Sequence, residues 1–324
     1  MSPGDLRIAA VQFEHRDGDK AFNLGRIAAL TRHAVARGAE VVAFHECSIS
    51  AYSFVQPLAR TDLLAVAEPV PDGPSVQSLI AIAREHNVHL LAGLFERDGD
   101  RVHNTYVCVN ADGFVAKHRK LHAFVSPHLT SGDEISVFEI RGWKCATLIC
   151  YDNNLPENVR IAALSGAEIV FMPHVTGCLP STMPGRGLVD PQLWEQRERD
   201  PVPLRQEFDG PKGRGWLMRW LPARAWENGI YAIFANPIGM DFGQVRNGNS
   251  MVLDPFGEVI AECRALGDDL CLAVCTREKL ACSSGQRYLR ARRPELYEKL
   301  VEPSSEPPLT QPGWTLQTPS DAAS

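Results

Sequence analysis

The chain has 324 residues, of which 44% are hydrophobic and 22% charged, and its formal net charge is −6. That apolar content suffices for a sizeable core. The acidic balance argues against a general nucleic-acid binder, because phosphate contacts need a basic surface, and it gives no attraction to anionic membranes.

The opening stretch, Met1–Phe13, lacks a basic region followed by an apolar one, so no signal peptide is expected. No apolar run approaches the roughly 18 residues of a membrane span, and the expected location is the cytoplasm. Leu6–Phe13 fits a buried strand, Lys20–Gly38 a helix with Phe22, Ile27, Leu30 and Val35 at helical spacing, and Val41–Phe44 a second strand. This is a βαβ unit. Pro74–Asn87 reads as a helix with Pro74 near its start. Val88–Phe95, Val102–Asn110 and Phe114–Lys117 read as strands, the last two joined by a turn at Ala111-Asp112-Gly113.

Phe138–Ile140 and Lys144–Ile149 form a further strand pair around Arg141-Gly142. Glu157–Ser165 is helical and Ile169–Met172 a strand. Thr176–Gly215 is rich in Pro, Gly and charge and is long for a connection. It carries Arg186, Arg197, Arg199, Arg205 and Arg214 among Glu195, Glu198, Glu207 and Asp209. Trp216–Asn228 is helical, and Tyr231–Asn236, Ser250–Asp254, Val259–Ala261 and Asp269–Cys275 are strands. From residue 303 onward a polar, Pro/Ser-rich tail is expected, free or lying on a partner. With no repeat and no clear linker, residues 1–302 read as a single α/β domain of packed layers, interrupted by the long segment at about 176–215.

The nine cysteines are scattered and include no CxxC pair. Neither a disulfide framework nor a zinc site is expected, and no metal or other cofactor is implied.

Three local patterns carry chemistry. Val41–Phe44 leads through His45 to Glu46, an acid just past an apolar strand, where functional groups gather in open α/β sheets. Lys117–His122 is dense in cations and follows a strand; a surface patch and an anion site are both open readings. Ala146–Ile149 runs straight into Cys150, and a helix begins shortly afterward. That strand–turn–helix order lifts a nucleophile off a sheet edge, with the N–H of Tyr151 available to an oxyanion. A buried structural cysteine is the alternative.

In their order these segments resemble the nitrilase superfamily, the carbon–nitrogen hydrolases, from about Leu6 to Val274. The resemblance rests on AAVQF in Ala9–Phe13, FHE around Glu46, KHRKLH around Lys120 and LICYDNNLPE around Cys150. Ala223–Tyr231 and Gly248–Glu262 extend it. It implies a four-layer α-β-β-α sandwich, pairing into a homodimer or larger homo-oligomer, and a catalytic set of Glu46, Lys120 and Cys150. The implied reaction is hydrolysis of an amide or N-carbamoyl group in a small molecule through a cysteine thioester. A nitrilase, a soluble acyltransferase and a repurposed, non-catalytic scaffold remain the alternatives.

Two departures from the family pattern bear on substrate. Many members carry a second glutamate shortly before a Gly-Asp; the stretch before Gly132-Asp133 holds no acid, and His128 or water is expected in its place. D-amino-acid carbamoylases have two arginines just after the cysteine, where this chain has Asn153-Asn154. Neutral amides bind substrate by hydrogen bonds but do not neutralise a carboxylate. The 176–215 segment, with Trp194, Trp216 and Trp220 nearby, is expected either to cap the pocket or to serve contacts between subunits.

Overall fold

Strict in–out alternation along the central strands sorts their side chains into separate cores. In the computed structural model, which describes residues 4–181 and 183–303, fourteen strands form two six-stranded sheets and one hairpin. They are β1 (Leu6–Gln12), β2 (Val41–Ala43), β3 (His89–Asp98), β4 (Arg101–Asn110), β5 (Gly113–Arg119), β6 (Val137–Ile140) and β7 (Trp143–Thr147). The others are β8 (Ile169–Pro173), β9 (Tyr231–Ala235), β10 (Ile238–Asp241), β11 (Gln244–Asn247), β12 (Met251–Leu253), β13 (Val259–Glu262) and β14 (Asp269–Cys275).

The first sheet has the order β14-β1-β2-β3-β4-β5 and the second β13-β12-β9-β8-β7-β6. Each has three parallel strands at its centre: β1, β2 and β3 in one, β7, β8 and β9 in the other. Ile8, Ala10, Val41 and Leu91 meet Cys145, Ile169, Phe171 and Ile233 between the sheets. The alternate residues Ala9, Val11, Val42 and Leu90 face outward onto helices α1 (Lys20–Ala36) and α3 (Pro74–His86), separated in the chain by α2 (Arg60–Val66). On the second sheet Ala146, Val170 and Phe234 face outward, onto helices α4 (Pro156–Leu164) and α8 (Leu221–Asn228). The result is the four-layer α-β-β-α sandwich.

Local chemistry sets the element ends. Asp19 caps α1 by accepting from the Phe22 N–H, and Asn87 closes α3 in the left-handed region. In the β4–β5 turn Asn110 Oδ1 accepts from the N–H groups of Asp112 and Gly113.

The structure departs from expectation in two regions. The 176–215 segment is not structureless: it contains α5 (Pro191–Glu195) and α6 (Pro201–Asp209) and reaches into α7 (Arg214–Leu217). Helices α5 and α6 bury Trp194, Leu204 and Phe208 against Ile238 and Val245 of the β10–β11 hairpin. The helix expected over Trp216–Asn228 is broken at Met218–Trp220, because Pro222 supplies no N–H to continue a helix and starts a new one instead. The tail expected from residue 303 onward lies, beyond its first residue, outside the described residues. Among the described residues no helix is long and apolar enough to cross a membrane.

Candidate active site

The carboxyl ends of the central parallel strands of both sheets point to one region, and the three candidate residues arrive there from different strands. Glu46 follows β2, Cys150 follows β7, and Lys120 is the first residue after β5. Glu46 and Lys120 are wholly buried, with Lys120 Nζ 2.7 Å from Glu46 Oε1. Asn104 Nδ2 of β4 donates to the same oxygen at 2.6 Å, and the Val175 N–H donates to Glu46 Oε2 at 3.0 Å. The Val175 carbonyl is in turn 4.0 Å from Cys150 Sγ. A single residue just beyond β8 therefore touches both the acid and the thiol.

The approach of Glu46 depends on a missing side chain. A Cβ on Gly93 of β3 would lie 2.2 Å from the Cys47 amide nitrogen, so only glycine lets the turn after β2 lie against β3. Cys150 has φ +52°, a left-handed conformation that non-glycine residues rarely adopt. Its turn is held by Asp152, whose carboxylate accepts from the N–H groups of Ile149, Leu121 and His122 and from the His122 ring. Arg224 of α8 donates to the carbonyls of Asn153 and Asn154. The turn bearing the thiol is thus tied to the segment bearing Lys120 and to the helix behind it.

The electrostatics follow from burial. Burial pushes the Cys150 thiol up to about 12, with Glu46 adding to the rise and Lys120 opposing it. Burial disfavours the Lys120 charge, but Glu46 and then Tyr52 more than offset this and hold the ammonium well above the usual lysine range. The resting site pairs a neutral thiol with a buried ammonium.

The basic run Lys117–His122 is not a surface patch. Strand alternation directs Lys117 and Arg119 to Glu96 on one side, and Lys120 to Glu46 and His118 towards Asp152 on the other.

The remaining candidates separate. Tyr151 and Asn154 line the cavity in front of Cys150. Asn153 does not: its amide donates to the carbonyls of Leu148 and Cys150 and belongs to the scaffold of the turn. His128 is exposed and outside the cavity lining, so the structure does not bring it to Lys120. The ammonium instead has the Tyr52 hydroxyl at 3.4 Å and the Phe124 ring centroid at 4.8 Å. The segment after Lys120 delivers an aromatic ring, and a cation–π contact, in place of the expected His128. Trp216 and Trp220 line the cavity, whereas Trp194 is buried elsewhere, donating to Glu14.

The cavity has a volume of about 370 Å³. Leu179, Pro180, Ser181, Met183 and Arg186 of the long segment form part of its wall. Asn104, Tyr52, Asp152 and Val175 were not singled out in the sequence. Asp152 had the clearest signal, an acid two residues past the cysteine in a buried turn.

The family model for carbon-nitrogen hydrolases matches residues 7–281. An (R)-stereoselective amidase of Pseudomonas sp is 32% identical over 263 residues, spanning 79% of this chain and 80% of that protein. A citrullinase of Francisella tularensis is 27% identical, spanning 92% of this chain and 98% of that protein. The fold is also that of a solved amidase from Nesterenkonia sp. AN1, with a TM-score of 0.68 at 23% identity, over 92% of this chain and 97% of that one. The chain belongs to the carbon-nitrogen hydrolase family. It is an enzyme that hydrolyses non-peptide, amide-type C–N bonds in small molecules.

Proposed function

We propose that Cys150 is the nucleophile, Glu46 the proton carrier and Lys120 the oxyanion partner of a thiol amidase. The observation that carries this reading is the contact chain Lys120–Glu46–Val175–Cys150 beside the cavity.

A thiol held near 12 is protonated at neutral pH, so its proton must leave as it attacks. Glu46 takes that proton while Cys150 Sγ bonds to the substrate carbonyl carbon, whose π electrons move to oxygen. The oxyanion is met by Lys120 Nζ and the Tyr151 N–H, and one such donor is worth about 10²–10³ in rate. Glu46 returns the proton to nitrogen, the C–N bond breaks, and ammonia or an amine leaves a thioester. Glu46 then deprotonates water, which attacks the thioester. The C–S bond breaks, the acid departs and the thiol is restored. Asn154 contributes a neutral amide to the substrate cavity, and the 176–215 segment acts as its specificity wall.

Two further readings belong to the same proposal. Helices α4 and α8 leave Ile161, Leu164 and Trp226 exposed, and this apolar face supports assembly as a homodimer. All nine cysteines are free and eight of them buried, which is compatible with a reducing cytoplasm.

The test is ammonia release from a panel of amides, ureido compounds and nitriles by the wild type and by Cys150→Ala. The expected result is release by the wild type alone, with a mass increase on Cys150 matching the acyl group. Undiminished release by Cys150→Ala removes the thiol from the mechanism.

A further inference from the structure

The cavity in front of Cys150 holds more positive charge than the chemistry at the thiol uses. Arg246 of β11 lines it and is 1% exposed. Three of its contacts are satisfied: Nε donates to Asp241 at 2.9 Å, and Nη2 donates to Gln244 at 3.0 Å and to Ser53 Oγ at 3.3 Å. Its Nη1 is buried with no partner. Asp241 itself is held by Arg246, His15 and Ser53, so this network is fixed from behind.

Arg186 lines the same cavity from the long segment, its guanidinium 4.0 Å from the Trp216 ring centroid. Its Nε is buried and unpartnered, and among the described residues it forms no ion pair. The other arginines of that segment are differently placed. Arg205 and Arg214 have carboxylates, Arg197 donates to backbone carbonyls, and Arg199 is exposed. Of the two guanidinium groups lining the cavity, Asp241 offsets Arg246, while among the described residues no carboxylate pairs with Arg186.

A buried guanidinium atom without a partner is costly unless a ligand completes it, and a charge-assisted N–H donor of this kind suits a carboxylate. We propose that Arg246 and Arg186 bind a carboxylate on the substrate, so that the enzyme hydrolyses amides of acids that keep a free carboxylate. The apolar body of such a substrate lies along Met183, Trp216 and Trp220. This inference rests on the thiol-amidase reading above. It also explains how Asn153-Asn154 is compatible with an anionic substrate: the neutralising groups come from β11 and the long segment instead.

The test compares succinamate, glutaramate and adipamate with butyramide, valeramide and hexanamide, pairs that differ in carrying a carboxylate or a methyl group. The expected wild-type preference in kcat/KM for the carboxylate member is about tenfold or more. It falls by about tenfold in Arg186→Gln and in Arg246→Lys, which keeps a charge beside Asp241 but loses the Nη1 donor. A variant that is merely misfolded loses both members of a pair together, so the ratio reads the anchor. Turnover of neutral amides without a carboxylate preference, or a preference that survives both substitutions, overturns the site while leaving the amidase reading intact. If nothing in the panel turns over, calorimetric binding to Cys150→Ala decides. Carboxylate-selective binding sustains the site and counts against the amidase reading, and its absence overturns the site.

Discussion

Lys120 Nζ lies 2.7 Å from Glu46 Oε1, and neither side chain reaches solvent. Two opposite charges so placed are strongly coupled, because little water screens them. The pairing is completed by Asn104 on the same oxygen and by the Val175 N–H on the other. Glu46 is thus fixed by donors from β4, from the end of β5 and from the end of β8, and its position reports on both sheets at once.

Removing the ammonium should therefore cost both rate and stability. Lys120→Met leaves Glu46 buried without its counter-charge, and such a loss is worth about 3–5 kcal/mol. Turnover should fall by about 10²–10³. Replacing both partners, Glu46→Gln with Lys120→Met, should recover much of the stability and none of the activity. Urea unfolding of the two variants and the wild type beside their kcat values checks this. Equal stability of Lys120→Met and wild type would contradict the buried pairing.

Gly93 offers a test remote from the thiol. Gly93→Ala introduces a methyl 2.2 Å from the Cys47 nitrogen, and the backbone carrying Glu46 must move. Overpacking of this kind costs about 1–3 kcal/mol. Misplacing a catalytic group by roughly 1 Å can cost about 10² in rate. The expected signature is a fall in kcat larger than any rise in KM. A stable variant with wild-type kcat would show that the turn after β2 has slack.

Much of this was legible in the sequence because it lies in short, periodic stretches. Apolar runs ending in Glu46 and Cys150 identify the strands that carry them, and Asn110 to Gly113 spells out its turn. The β10–β11 hairpin was not read, although it carries Asp241 and Arg246. Its strands have four residues each, and β10 contains a glycine, too little for an alternation to register. The 176–215 segment hid its helices for a related reason. Helices α5 and α6 each open on Pro, which reads as a loop, and their apolar residues pack onto that hairpin. Nearness to Gly132-Asp133 in the sequence does not carry His128 to the cavity. The chain there turns so that Phe124, nearer to Lys120, meets the ammonium. Contacts of this kind depend on tertiary approach, which local spacing does not encode.

The strand that leads into Lys120 is itself pinned by an ion cluster whose protonation can be followed. Burial works against the charge on Glu96, but hydrogen bonds from Arg119, Lys117 and Thr105 outweigh it and bring its carboxyl from the ordinary 4.5 down to about 2. The folded carboxyl therefore binds a proton less readily than the unfolded one. Between these two values the unfolded chain carries the extra proton, so folding stability falls as pH falls from about 4.5 towards about 2 and is fully present above that window. Glu96→Gln should be less stable than wild type at pH 7 and should lose less further stability on acidification. Urea midpoints measured by circular dichroism across that range decide it. If wild type and Glu96→Gln lose stability in parallel, the acid sensitivity resides in other carboxylates, and the cluster does not govern how β5 holds Lys120 against Glu46.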